Sequence, residues 1–182
     1  RRFLKRKKKF VVVVGGGRLA RLFQEAAGKV LKVTDEDKDW IGIHATRLNA
    51  HLLRTVFRDV ADPVVFDSRK KRKKLLYPVT VASGWRPGWS TDYVAVRIAA
   101  DLGVREVVVA GKPDFVYDKD FVKFKNARPL RSLTWPEYRK LIPRKWRPGM
   151  SAPVDPVAAR LLGRKKMAAI VVKGKNLRNL ER

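Results

Sequence analysis

Phe10-Val11-Val12-Val13-Val14-Gly15-Gly16-Gly17-Arg18-Leu19-Ala20-Arg21 is the stretch that decides the fold class. A short β-branched run closed by glycines reads as a buried strand. From Arg18 to about Ala27, Leu19, Leu22, Phe23 and Ala26 recur at helical spacing, and Gly28 offers a stop. Strand, glycines and helix in that order suit an anion. Glycines let the backbone approach a phosphate, and the helix N-terminus supplies free N–H groups and a favourable dipole. Arg18 and Arg21, one turn apart, can add charge-assisted bonds. The stretch is not a P-loop, which needs Gly-Lys-Ser/Thr, nor a Rossmann fingerprint, which needs a later glycine. A tight turn holding no ligand is the alternative reading.

The same alternation continues along the chain. Thr34–Lys38 is polar and reads as a loop. The spacing predicts a helix from about Thr46 to Phe57, burying Leu48, Leu52, Leu53 and Val56. Pro63–Phe66 suits a short strand, and Arg69–Lys74 an exposed basic loop. Pro78–Ala82 reads as a second clear strand. Ser90, Thr91 and Asp92 are N-cap candidates for a helix to about Leu102, stopped by Gly103. Glu106–Ala110 is a third strand. Leu133–Ile142 reads as helical, with Pro136 tolerated in the first turn. Asp155 and Pro156 form a cap and first position for a helix to about Leu162, and Ala168–Lys173 is the last strand. Strands separated by helices at this pitch define an α/β protein with a largely parallel sheet.

Bulk composition limits the function classes. A chain of 182 residues, 45% hydrophobic, suits one domain with a real core and excludes a disordered basic tail. No apolar run approaches a membrane span, and no signal-peptide core follows the basic start, so the expected setting is the cytoplasm. The absence of cysteine excludes disulfides and thiolate metal sites. Lys and Arg number 43 against 17 acids, a formal charge of +26 that favours polyanions, nucleic acid among them. The competing reading is a solvated surface of the thermophilic kind. The basic residues cluster at Arg1–Lys9, Arg69–Lys74 and Arg164–Lys166, without the aromatic interleaving that stacks bases.

Two further loops sit at strand ends, where ligands of open α/β sheets gather. In Gly84-Trp85-Arg86-Pro87-Gly88-Trp89-Ser90-Thr91-Asp92, the two tryptophans can wall a base or simply pack on the core, and Asp92 alone reads as a helix cap. In Asp114-Phe115-Val116-Tyr117-Asp118-Lys119-Asp120, the carboxylates can hold magnesium or orient a nucleotide, with Tyr117 against a base. A polar surface turn is the commoner case. His44 and His51 lack metal-ligand partners and read as structural, and no nucleophilic triad can be assembled.

Taken in order, these segments resemble the uridylate kinases of the amino-acid-kinase family. Gly15-Gly16-Gly17-Arg18-Leu19-Ala20-Arg21 is similar to their GGG-x-x-x-R element. Asp39-Trp40-Ile41-Gly42-Ile43, running on to Ala45-Thr46-Arg47-Leu48-Asn49-Ala50, resembles D-x-x-G…A-T-x-x-N. Gly84–Asp92 is similar to the loop ending Ser/Thr-Thr-Asp, and Asp114–Asp120 to V-D-G-V-Y-x-x-D-P. Lys123–Ala127 and Ile170–Gly174 also fit, so the resemblance covers about Phe10 to Leu180.

The resemblance implies a three-layer αβα sandwich around the parallel sheet, formed by residues 1–182 as a single domain. It implies transfer of the ATP γ-phosphoryl group to UMP, with magnesium, in a homohexamer. By the same resemblance Gly16 would touch the UMP phosphate, and Gly17 and Arg21 the transferring phosphates. Asp39 would bind the uridine side, while Trp85, Arg86, Pro87, Gly88, Trp89, Ser90 and Thr91 wrap the acceptor. Gly111, Tyr117 and Asp120 would serve ATP, with Arg21 and Asp120 as the catalytic pair.

Three departures accompany it. The family's first strand and its lysine-bearing glycine loop have no counterpart before Arg1, so an N-terminally incomplete domain or a retired kinase is expected. Gly111 stands where Thr or Asn is usual, with Phe115 in place of a glycine. Phe121 stands in place of a proline. The alternatives are another small-molecule kinase of the family, or a non-catalytic binder of an oxyanion or RNA.

Overall fold

The computed structural model describes residues 8–71, 74–147, 150 and 152–175. Contacts divide the chain into two compact units, one built on residues up to 95 and the other on residues from 96, with the division falling inside a helix. Most of the first basic cluster, Arg1–Lys7, lies outside the described residues, as do Arg72 and Lys73 of the second.

In the first unit, β1 (Phe10–Val13) pairs in parallel with β2 (Val79–Ala82), in a register that sets Phe10 opposite Val79 and Val13 opposite Ala82. β2 is buried throughout. β1 is only half-buried, a correction to its reading as a buried strand; among the described residues β2 is its strand partner, and Val12 stays 36% exposed. The Pro63–Phe66 segment makes no full strand. Isolated parallel bridges join Ala61 to Val79 and Phe66 to Ala82 instead. The core gathers Ala50, Ala61, Val65, Val79 and Val81, with Val14, Leu53, Phe57 and Val60 packed around it.

α2 packs on β2 and α1 packs on α2, and both helices run longer than their periodicity suggests. α1 (Gly17–Val30) passes straight through Gly28, whose missing side chain costs a helix about 1 kcal/mol without ending it. α2 (Asp35–Val56) absorbs the polar segment expected to be a loop. Thr34 is its N-cap, accepting from the Asp37 amide at 3.1 Å, and Asp35, Glu36 and Asp37 complement the dipole of the first turn. The polarity of Thr34–Lys38 was a helix-start signal. The predicted inward face was also wrong. α2 buries Ile43, Ala45, Thr46 and Ala50, while Leu48, Leu52 and Val56 point to solvent and Leu53 is half-buried.

α3 (Thr91–Asp101) is capped by Ser90, whose hydroxyl accepts from the Tyr93 amide at 3.0 Å, and ends at Gly103 with φ +71. Asp92 lies in its first turn rather than at the cap. In the second unit, β3 (Glu106–Gly111) pairs in parallel with β6 (Ala168–Lys173). A short antiparallel pair, β4 (Val116–Tyr117) with β5 (Pro129–Leu130), was not foreseen. α4 (Trp135–Leu141) opens on a Thr134–Glu137 capping box, and α5 (Pro156–Arg164) on Asp155. Tyr138 is buried, its hydroxyl donating to the Val154 carbonyl at 2.6 Å and accepting from the Val154 amide at 2.8 Å.

Candidate functional site

The glycine turn and the tryptophan loop of the first unit are both tied to α2, by three side chains on one face of that helix. Asn49 donates its amide to the carbonyls of Gly15 at 2.9 Å and Gly16 at 3.2 Å. Thr46 accepts from the Gly84 amide at 2.8 Å while donating to the Ile43 carbonyl at 2.6 Å, all of it buried. Asp39 accepts from the Gly88 amide at 2.7 Å. Spacings of seven and three residues bring all three to the same side of a 3.6-residue helix. The sequence reading assigned a role to Asp39 and missed Thr46 and Asn49. The signal was available: these polar side chains share the helix's inward face, where polar groups need partners.

The glycine turn is shaped for close approach. A Cβ on Gly16 would lie 2.6 Å from the Ala20 Cβ, and Gly17 has φ +58, so neither position takes a side chain without strain. Gly16 caps α1 without any side chain, and the first turn holds no acid, so the positive end of the dipole is not neutralised from within. Arg18 and Arg21 lie exposed on the same helix.

The tryptophan loop splits by role. Trp85 is buried, its indole N–H donating to the Phe66 carbonyl at 3.1 Å and its ring 5.2 Å from that of Phe66, so it anchors the loop to the core rather than walling a pocket. Trp89 is half-buried, with the Arg86 guanidinium 4.6 Å above its ring and Tyr93 edge-on at 4.7 Å. Gly88 adopts φ +78, which turns the chain where its amide meets Asp39. Burial pushes the Asp39 carboxyl above its ordinary pKa, and the charges of Asp35 and Glu36 push the same way against the Gly88 bond.

The Asp114–Asp120 segment of the second unit is more self-contained. The Tyr117 hydroxyl donates to Asp114 at 2.8 Å, which holds the Asp114 carboxyl below and the phenol above their ordinary values. Tyr117 stacks on Phe121 with centroids 5.0 Å apart. Asp120 accepts from the Val122 amide at 2.9 Å. Gly111 ends β3 and accepts from the Gly174 amide at 2.8 Å. A cavity of about 580 Å³ in this unit is walled by Phe115, Val116, Leu133, Tyr138 and Met167 among others, but Gly111, Tyr117 and Asp120 do not line it. His44 is exposed beside Trp40, and His51 is exposed further along α2.

Parallel strand pairs, one of them feeding a side-chain-free turn at a helix start, make this an α/β protein of the kind that receives phosphorylated ligands at strand ends. The chain belongs to the amino acid kinase family, whose model matches residues 1–173. A uridylate kinase of Thermococcus kodakarensis is 37% identical over 172 residues, covering 93% of this chain and 76% of the relative. One from Staphylothermus marinus is 32% identical over 167 residues, covering 91% and 75%. The crystal structure of uridylate kinase from Archaeoglobus fulgidus superposes with a TM-score of 0.80 at 30% identity, covering 94% of this chain and 79% of that one.

Proposed function

We propose that this protein is a nucleoside-monophosphate kinase that transfers the γ-phosphoryl group of ATP to UMP, giving ADP and UDP for pyrimidine nucleotide synthesis in the cytoplasm. The observation that carries the reading is the α2 face on which Asp39, Thr46 and Asn49 hold the glycine turn and the tryptophan loop together. The uridylate kinase relatives supply the substrate pair.

In this reading the UMP phosphate lies on the amides of the glycine turn at Gly16. Gly17 and Arg21 face the phosphates in transfer. Asp39, with one oxygen held by Gly88, offers the other to a hydroxyl or N–H of uridine. The loop from Trp85 to Thr91 wraps the acceptor, fixed by Trp85 and presenting Arg86 and Trp89. On the donor side, Gly111 leaves room at a strand end, while Tyr117 and Asp120 attend ATP.

The attacking oxygen belongs to a phosphate largely dianionic at neutral pH, so it needs no general base to remove a proton. What the protein supplies is alignment and positive charge, from backbone amides and Arg21. Magnesium enters as the counter-ion of the ATP phosphates. The described carboxylates form no cluster of three or more that could hold a metal ion, and no step is routed through one. A homo-oligomer belongs to the same proposal.

The test is ADP release from ATP and magnesium with each nucleoside monophosphate in turn. Turnover with UMP well above CMP, AMP and GMP supports the assignment. A folded protein that binds UMP and is silent with every acceptor refutes it. The +26 charge favours a second reading, RNA binding by a kinase-fold protein, which predicts retention on RNA that weakens steeply with salt.

A further inference from the structure

Rings and cations alternate in one segment outside the basic runs of the sequence. The loop joining β4 to β5 reads, from Lys119 to Arg128, Lys-Asp-Phe-Val-Lys-Phe-Lys-Asn-Ala-Arg. Its ends are clamped: the Asp118 amide donates to the Arg128 carbonyl at 3.1 Å, and the Arg128 amide donates to the Asp118 carboxylate at 2.8 Å. Within the loop the Asp120 carbonyl accepts from the Lys123 and Phe124 amides at 3.2 and 2.9 Å, and the Phe124 carbonyl accepts from the Ala127 amide at 3.0 Å. A loop with close ends and bonds of its own holds a definite shape. That shape turns apolar side chains outward, with Phe121, Val122 and Phe124 41%, 79% and 50% exposed. Clustered apolar groups presented to water mark a contact surface.

Charge and ring geometry point to the partner. Lys119, Lys123, Lys125 and Arg128 are exposed among these rings. The acids of the segment have internal duties: Asp114 takes the Tyr117 hydroxyl, Asp118 the Arg128 amide, and Asp120 the amides of Val122 and Lys123. Phe121 lies stacked on Tyr117, centroids 5.0 Å apart and planes 26° from parallel, so a base laid there continues an existing stack. Single-stranded nucleic acid matches both features, offering a phosphate and an unpaired base at every nucleotide. Anionic lipid is a poorer match. Lys123 separates Val122 from Phe124, and the Lys119 ammonium lies 5.6 Å from the centre of the Phe124 ring, which leaves no uncharged tip to enter an acyl layer. A formal charge of +26 attracts any polyanion, and at this loop the attraction can be joined by stacking.

We propose that the β4–β5 loop binds single-stranded nucleic acid, with Phe121 and Phe124 as stacking platforms and Lys119, Lys123, Lys125 and Arg128 on the phosphates. The inference rests on the RNA-binding reading of the charge and gives that reading a place on the molecule. It does not depend on kinase activity, and Lys123, Phe124 and Lys125 lie outside the residues assigned to ATP.

The test is fluorescence anisotropy of labelled oligouridylate and oligothymidylate of about 12 nucleotides over a salt series. Wild type should bind a single strand with an affinity that falls as salt rises, and a duplex of equal length should compete poorly because its base faces are covered. Phe124→Ala should weaken binding about tenfold at every salt concentration and leave the slope unchanged. Lys123→Gln combined with Lys125→Gln should flatten the log–log slope by about 1.4, or about 0.7 for each cation withdrawn. Lys32→Gln, exposed in the first unit, should change neither affinity nor slope. All of these sites are exposed, so circular dichroism should show every variant folded as wild type. A wild type that binds neither oligonucleotide at low salt, or that binds anionic phospholipid vesicles instead, overturns the RNA reading and this surface together. Wild-type binding that Phe124→Ala and the double lysine variant retain in full, or a duplex that competes as well as a single strand, overturns the loop as the site and leaves RNA binding by charge alone.

Discussion

The α2 face of the first unit and the Asp114–Asp120 segment of the second are equally rich in polar motif residues, yet they are wired differently. The hydrogen bonds that tie Asp39, Thr46 and Asn49 to the two loops close over 33 to 49 positions of sequence. Those of Tyr117, Asp118 and Asp120 close over 2 to 10. Long closures exist only when the whole unit has folded, so they report and preserve the relation between two loops. Short closures shape a turn and little else. A binding site held by the first kind is preorganised, and damage to it should couple stability with ligand affinity. Damage to the second kind should stay local.

The largest effect is expected where that coupling is tightest. Gly16→Ala puts a methyl 2.6 Å from the Ala20 Cβ and 3.4 Å from the Gly42 carbonyl. Overpacking there should lower the unfolding free energy by about 1–3 kcal/mol in urea titrations. It should also abolish measurable UMP binding by calorimetry. An alanine enzyme with wild-type stability and affinity would break the claim that this turn is side-chain-free by necessity.

Thr46→Val comes next. It keeps the shape but removes the hydroxyl that the buried Gly84 amide donates to. An unsatisfied buried donor costs about 1–3 kcal/mol, and the variant should lose UMP affinity in parallel although Thr46 lies under the loop rather than on a ligand. Unchanged UMP affinity in a destabilised Thr46→Val would show that the loop keeps its shape without this tie. Asp39→Ala should divide the two effects the other way. Its carboxylate is only half-buried, so stability should move by less than about 1 kcal/mol, while the UMP Kd rises about tenfold.

These contrasts also explain what the sequence could reveal. Strands β1, β2, β3 and β6 were legible because β-branched runs end on glycine or polar turns, and helices α4 and α5 because their caps and prolines are local signals. The start of α2 was misread because Thr34-Asp35-Glu36-Asp37 is as polar as a loop. Its content, a cap followed by three acids, is what a helix N-terminus requires. The inward face of α2 was misread because leucines were assigned to the core by size. The core side takes Ala45, Thr46 and Ala50, small residues that let the glycine turn and the loop after β2 come close. Trp85 and Trp89 were indistinguishable as sequence. Only the neighbouring Phe66 carbonyl, 19 positions away, makes one of them an anchor.

In the second unit smaller changes are expected. Tyr117→Phe removes one half-exposed hydrogen bond, to Asp114, and should leave the urea midpoint close to that of wild type. UMP affinity should not move at all. A fall in UMP affinity would mean that the local segment is coupled to the acceptor loops after all.

The subtlest contrast is in acid titration, where the two regions should show opposite signs. Folded Asp39 has a raised pKa, chiefly from burial, so in the window between its unfolded and folded values the native state holds more proton than the unfolded chain. Stability then falls as pH rises through that window and is level above it. Folded Asp114 has a lowered pKa, chiefly from the Tyr117 hydroxyl, so its contribution is present above the unfolded value and is lost as pH falls through the folded one. Urea midpoints across the acid range for wild type, Asp39→Asn and Asp114→Asn separate the two. Subtracting the Asp39→Asn curve from wild type should leave a component that declines with rising pH, and subtracting Asp114→Asn one that climbs. A climbing Asp39 component would mean that the Gly88 amide outweighs burial, making that contact a source of stability in its own right rather than a buried charge held in place for a ligand.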